Sequence, residues 1–304
     1  MNKDIIFLTP VCTHNIWGGT RLNREFGYPI EGDDIGECWG ISAHPNGDGT
    51  VASGAYKGMK LSELWEKHPE LFGDTGMDRF PLLVKIIDAK DDLSIQVHPD
   101  DAYAKAHENG SLGKTECWFI LDCKENATLV VGHNAKTKEE LEQMIHEGRW
   151  KEFIREIPIK PGDFIQIDPG TVHAIKGGTL LLETQQSSDI TYRVYDYDRL
   201  SNGKPRQLHI VQSIDVITVP AKSADNSVVQ IQQLIRCPYY TVYRIDVEHR
   251  VETWQDKPFA LMSVVEGEGT LNGTHLKKGD HLILPDGYGK VELQGRMQII
   301  ASTI

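Results

Sequence analysis

Three short segments carry the residues best suited to chemistry: Gln96-Val97-His98-Pro99, Lys114-Thr115-Glu116 and Gly170-Thr171-Val172-His173. Together they supply two imidazoles, a carboxylate and a carboxamide. Two histidines with one carboxylate suit a divalent metal held with an open coordination position, as in catalytic zinc sites, and equally non-haem iron or manganese. Basic side chains stand close to them in sequence: Lys85, Lys114, Arg193 and Arg199. Glu183 ends the run Thr179-Leu180-Leu181-Leu182-Glu183, where a buried carboxylate needs a partner or a purpose.

Short strands must position these groups. Leu93 to His98 alternates apolar and polar residues, which puts Ser94, Gln96 and His98 on one face of a strand. Phe80 to Ile87 is apolar except for Lys85 and reads as a buried strand, in which that lysine must be paired or point into a site. Cys117 to Leu121 is the next strand, with Glu116 at its start, and His173 lies just past a Pro-Gly turn. Helices are expected over Leu61 to Phe72, over Asp100 to Glu108, and over Thr137 to Ile154. The last opens with Thr137 and Glu140 in a capping-box pattern. Residues 1–60 are rich in glycine and turn residues and read as short strands joined by turns.

An internal repeat points to two units. Gly162-Asp163, four residues, then Asp168-Pro169-Gly170 is echoed by Gly279-Asp280, four residues, then Pro285-Asp286-Gly287. At the same offset, His173 of the first copy becomes Lys290 in the second. The expected organisation is a metal-binding unit over 1–222, with short helices, and a strand-and-turn unit over 223–304 that lacks the metal site. The small polar segment 220–228 is the candidate linker.

Composition narrows the function. The 304 residues carry a net charge of −12 and show no basic tail or patch, so nucleic acid is an improbable partner. No apolar run is long enough to span a bilayer, and MNKDIIFLTP lacks a signal-peptide core. The five cysteines form no Cys-x-x-Cys pair, which argues against a thiolate metal site and fits a reduced cytoplasmic setting. There is no P-loop, dinucleotide-binding glycine fingerprint, nucleophile-elbow serine or zinc-protease helix motif.

Five motifs, in order, resemble those of type I mannose-6-phosphate isomerases, zinc-dependent members of the cupin superfamily. They are Asn15-Ile16-Trp17-Gly18-Gly19, Leu93 to Pro99, Gly113 to Trp118, Gly170 to Ala174 and Asp189-Ile190-Thr191-Tyr192-Arg193. The resemblance implies a mainly β protein of two cupin-type β-barrel (jelly-roll) domains. It implies one zinc ion per chain on Gln96, His98, Glu116 and His173. It implies Arg193 as the active-site arginine with Lys114 and Glu183 nearby, and Ser94 and Lys85 as contacts for the substrate or its phosphate. Arg199 stands where some relatives carry a lysine. The implied substrate is a phosphorylated hexose, with mannose 6-phosphate and fructose 6-phosphate interconverted through a cis-enediol in a monomer or small homo-oligomer. A cupin dioxygenase, demanding Fe(II) and oxygen, and a non-catalytic sugar-phosphate sensor are the alternatives.

Overall fold

The computed structural model describes residues 4–201, 203–221 and 232–304. All but the first two residues of the segment 220–228 fall outside them. The chain is mainly β, and every described helix precedes Ile217. No described helix is long and apolar enough to cross a membrane.

Six strands form one sheet, in the order Phe164–Ile167, Glu116–Cys123, Thr179–Gln186, Leu82–Ala89, Val11–Gly19 and Ile35–Ile41. Five form a second, in the order Tyr192–Tyr195, Ile95–Val97, His173–Ala174, Thr128–His133 and Ile154–Pro158. A nine-stranded sheet takes every described strand from Gln232 onward, and also Ile6–Thr9 and Thr50–Val51 from the start of the chain. Ile6–Thr9 runs antiparallel to His281–Leu284, so the first strand is built into the sheet of the last third. Among the described residues these are open sheets rather than closed barrels.

Leu82–Ala89 and Thr179–Gln186 are buried along their whole length, which is why they read as apolar runs. Burial also fixes register, because a one-residue slip would turn every side chain to the opposite face. Two cross-strand rows follow. In the six-stranded sheet, Trp118, Glu183, Lys85 and Trp39 lie side by side on four neighbouring strands. In the five-stranded sheet, Arg193, Gln96 and His173 do the same on three. The Trp118 and His173 rings meet at 5.5 Å, so these two rows come together between the sheets.

Two expected helices are shorter than the apolar pattern suggests. The helix from Leu61 stops at Lys67, and Pro69–Phe72 continues as a 3₁₀ turn, because proline cannot donate to the preceding turn. The helix over Lys138–His146 does open on Thr137, whose side chain accepts from the Glu140 amide at 3.2 Å. It ends before Gly148 (φ +65°), and Trp150–Phe153 is a separate turn of helix before the strand Ile154–Pro158. Both stops lie at the residue types that break helices.

The repeated Gly-Asp turns are built alike. Gly162 and Gly279 have φ of +89° and +93°, a region costly for residues with a Cβ. Asp163 accepts from the Lys160 amide at 2.9 Å, and Asp280 from the Lys277 amide at 2.8 Å. A short strand follows each: Phe164–Ile167 and His281–Leu284. The copies then diverge. His173 is fully buried, whereas Lys290 is exposed beside Glu252 and Glu292.

Buried His281 ties the start of the chain to the nine-stranded sheet. It contacts the Tyr28 hydroxyl at 2.7 Å and Ser263 Oγ at 2.8 Å. Gly40 packs so closely that a Cβ there would lie 2.2 Å from the imidazole. Burial pushes the His281 imidazole down from 6.5 to about 4. Between those values the unfolded chain takes up a proton that the folded chain refuses, so folding stability falls as pH falls through that window. The full effect is about 3 kcal/mol, reached near pH 4. Urea unfolding of His281→Gln, followed from pH 7 to 4, should show a shallower acid decline than wild type by up to one proton. Equal slopes would mean that the imidazole is not held neutral.

Candidate active site

The ligand-type atoms of His98, Glu116 and His173 all lie within 4.8 Å of one another, and all three residues are buried. His98 and His173 present Nε2 to Glu116, at 3.4 Å from Oε2 and 3.3 Å from Oε1 respectively. His173 Nδ1 donates to the Thr171 carbonyl at 2.9 Å. That bond leaves Nε2 with its lone pair, and it orients the ring as metal-binding histidines require. The Gln96 carboxamide sits 3.2 Å from the same Nε2. Glu116 Oε1 is buried without a hydrogen-bond partner.

The Lys114 ammonium shows what this group attracts. It lies 3.0 Å from His98 Nε2 and hydrogen-bonds Glu116 Oε2. Burial alone would raise the Glu116 carboxyl, but Lys114 and the imidazoles hold it well below the usual carboxylate range. Burial, reinforced by Lys114, pushes the His98 imidazole down to about 3, and burial likewise lowers His173. Two neutral imidazoles, an ionised carboxylate with an orphaned oxygen and an adjacent carboxamide are the donor set of a divalent metal site. Among the described residues, no other group of three histidine, cysteine or acidic side chains is so disposed.

Gln96 and Lys114, which touch this buried group, also line a cleft of about 190 Å³. Lys85, Lys114, Arg193 and Arg206 line it, against Glu37, Glu183 and Asp189. Lys85, buried as its strand implies, lies 3.5 Å from Glu37 and 3.5 Å from Glu183. Each of those carboxylates also accepts from an indole, Trp39 Nε1 at 2.8 Å and Trp118 Nε1 at 3.0 Å. Burial alone would lower the Lys85 ammonium; the two carboxylates outweigh it and raise its pKa. Burial and the Glu116 charge raise the Glu183 carboxyl. Ser94 lines the cleft beside Gln96, as the alternating strand pattern requires.

Nine of the ten residues singled out from sequence therefore gather at one place. Arg199 does not reach the cleft wall. Its guanidinium bonds the Asp92 carbonyl and Asp196, and it stacks over Tyr197 at 5.0 Å. Glu37, Asp196 and Arg206 were not singled out. Glu37 had a local signal, since it shares a strand face with Trp39. Arg206 had none.

The family model for the type I phosphomannose isomerase catalytic domain matches residues 5–121. The mannose-6-phosphate isomerase cupin domain matches residues 230–304. The chain is 51% identical, over 99% of both sequences, to "Mannose-6-phosphate isomerase ManA" of Bacillus subtilis. The chain belongs to the type I phosphomannose isomerase family. The mannose-6-phosphate isomerase of Streptococcus mutans is 48% identical over 98% of this chain and 97% of its own length. A crystal structure of the mannose 6-phosphate isomerase from Bacillus subtilis superposes with a TM-score of 0.95 at 50% identity, covering 99% of this chain and 100% of that one.

For this member of the family, His173→Ala should reduce divalent-metal affinity by more than about 100-fold, since even residues that only orient a ligand cost 10–100-fold. Competition with a chromogenic chelator measures it. Unchanged affinity would place the ion elsewhere.

Proposed function

We propose that the chain interconverts mannose 6-phosphate and fructose 6-phosphate, with a zinc ion held by Gln96, His98, Glu116 and His173. The observation that carries this reading is the buried pair of imidazoles and carboxylate, in contact through Gln96 and Lys114 with a cleft walled by lysine and arginine. Aldose–ketose exchange must remove a proton from a weakly acidic carbon beside a carbonyl. An ion in this site would polarise the substrate's carbonyl and hydroxyl oxygens and so make that carbon more acidic.

The chain's own residues do the rest. Arg193 stands beside Gln96 on the neighbouring strand, and its permanently charged guanidinium offsets the negative charge of the enediolate. Lys114 and Glu183, on walls of the same cleft, carry the proton between C2 and C1. Ser94 and Lys85, which line the same cleft, contact the substrate or its phosphate. The buried walls limit water around the reacting carbons, where fixed charges act most strongly.

The test is a coupled assay for fructose 6-phosphate, run with metal analysis of the same preparation. Turnover that is lost with chelation and returns with zinc is the expected result. Binding without turnover, or oxygen consumption with Fe(II), would replace this reading with one of its alternatives. Arg193→Ala should lower kcat by about 100-fold or more while its metal content stays at the wild-type level. Near-normal turnover in that variant would remove Arg193 from its role.

A further inference from the structure

The cleft contains a cation that the assignments above leave unused. We propose that Arg206 anchors the phosphorylated end of the substrate and that Asp196 is the residue that positions it. This deepens the isomerase reading and rests on it.

Position is the first support. Tyr192–Tyr195 is the edge strand of the five-stranded sheet, paired on one side with Ile95–Val97. On its other side it meets the segment after Arg206: the His209 amide donates to the Arg193 carbonyl at 2.8 Å, and the Arg193 amide donates to His209 Nδ1 at 3.2 Å. Across the sheet the order is therefore His173, Gln96, Arg193 and then the segment carrying Arg206. A hexose 6-phosphate that places C1 and C2 by His173 directs its phosphate away from that end. Arg206 lies on the far side and still lines the cleft.

Charge is the second. Lys85 is matched by Glu37 and Glu183 and Lys114 by Glu116, whereas Arg206 shares the single carboxylate of Asp196 with Arg199, which leaves that cluster one positive charge in excess. Arg193 Nε is buried without a hydrogen-bond partner. Burial and the facing Arg206 charge lower the Arg193 pKa, so the two guanidiniums repel and a dianion between them would relieve both.

Preorganisation is the third. Asp196 is buried and takes Arg206 Nε at 2.7 Å and Nη2 at 2.5 Å. Both bonds use one edge of the guanidinium, and among the described residues no acceptor meets Nη1. Asp196 Oδ1 also takes Arg199 Nη2 at 2.6 Å, which fixes the carboxylate itself. Arg199 supports the anchor rather than serving as one.

The experiment compares Arg206→Gln, Arg206→Lys and Asp196→Asn with wild type. It reads kcat/KM for mannose 6-phosphate, the inhibition constant of inorganic phosphate and metal content. Arg206→Gln should lose about 10- to 100-fold in kcat/KM and raise the phosphate constant by a similar factor, as loss of hydrogen bonds between charged groups does. Metal content should stay at the wild-type level. Arg206→Lys should recover part of both. Asp196→Asn should move them the same way by less, and adding it to Arg206→Gln should do no further harm. A wild-type phosphate constant in Arg206→Gln overturns the proposal; should that variant not fold, a wild-type constant in Asp196→Asn does so. If wild type fails to turn over mannose 6-phosphate, the isomerase reading falls. Calorimetry with inorganic phosphate then still judges the anchor: binding by wild type but not by Arg206→Gln supports it, and equal binding overturns it.

Discussion

Glu116 is a carboxylate with no contact with solvent, and a charge in that position costs several kcal/mol unless other charges compensate it. Two imidazole nitrogens and one ammonium gather around it, yet one of its oxygens accepts no hydrogen bond. The surroundings thus hold the carboxylate ionised while leaving it short of a full set of contacts. A divalent cation would complete it. The neighbouring groups fit that requirement: Thr171 fixes the tautomer of His173, burial keeps both imidazoles neutral, and Lys114 supplies positive charge on the cleft side.

The sheets explain how such a costly arrangement is held. Glu116, His173, Gln96, Arg193, Glu183 and Lys85 sit on strands whose pairings fix their register, and His98 directly follows the strand Ile95–Val97. Burial of Leu82–Ala89 and Thr179–Gln186 locks the row of Glu183 and Lys85. The short strands at Gln96 and His173 lock the opposing row. Lys85 between two carboxylates, each bonded to an indole, is a second compensated charge cluster beside the first. Both clusters face one cleft, which concentrates fixed charge there although the chain as a whole is acidic.

Much of this was legible in the sequence because strand alternation is a local property. Gln96 and His98 two residues apart must share a face, and a lysine inside an apolar run must find a partner. The Gly-Asp repeat was also legible, since positive-φ glycines and an aspartate closing its own turn leave a short signature. The helix ends were visible as Pro69 and Gly148, but the apolar periodicity ran past them and concealed the breaks. What stayed hidden depends on which elements become neighbours. Arg206 reaches the cleft only because its segment lies along the free edge of Tyr192–Tyr195. Arg199, nearer in sequence to Arg193, is instead drawn to Asp92 and Asp196. Nothing local in Ile6–Thr9 announced that it would join the sheet formed by residues more than 220 positions away.

The central claim is that fixed charge in this cleft stabilises an enediolate while a side chain carries the proton between adjacent carbons. The most direct measurement is NMR of the products formed from mannose 6-phosphate in D₂O by the zinc-loaded chain. Deuterium appearing at C1 of fructose 6-phosphate is the expected result, because a proton held by a side chain exchanges with solvent during some turnovers. Product formed with no solvent deuterium at C1, its hydrogen coming wholly from C2, would indicate direct hydride transfer and contradict the claim.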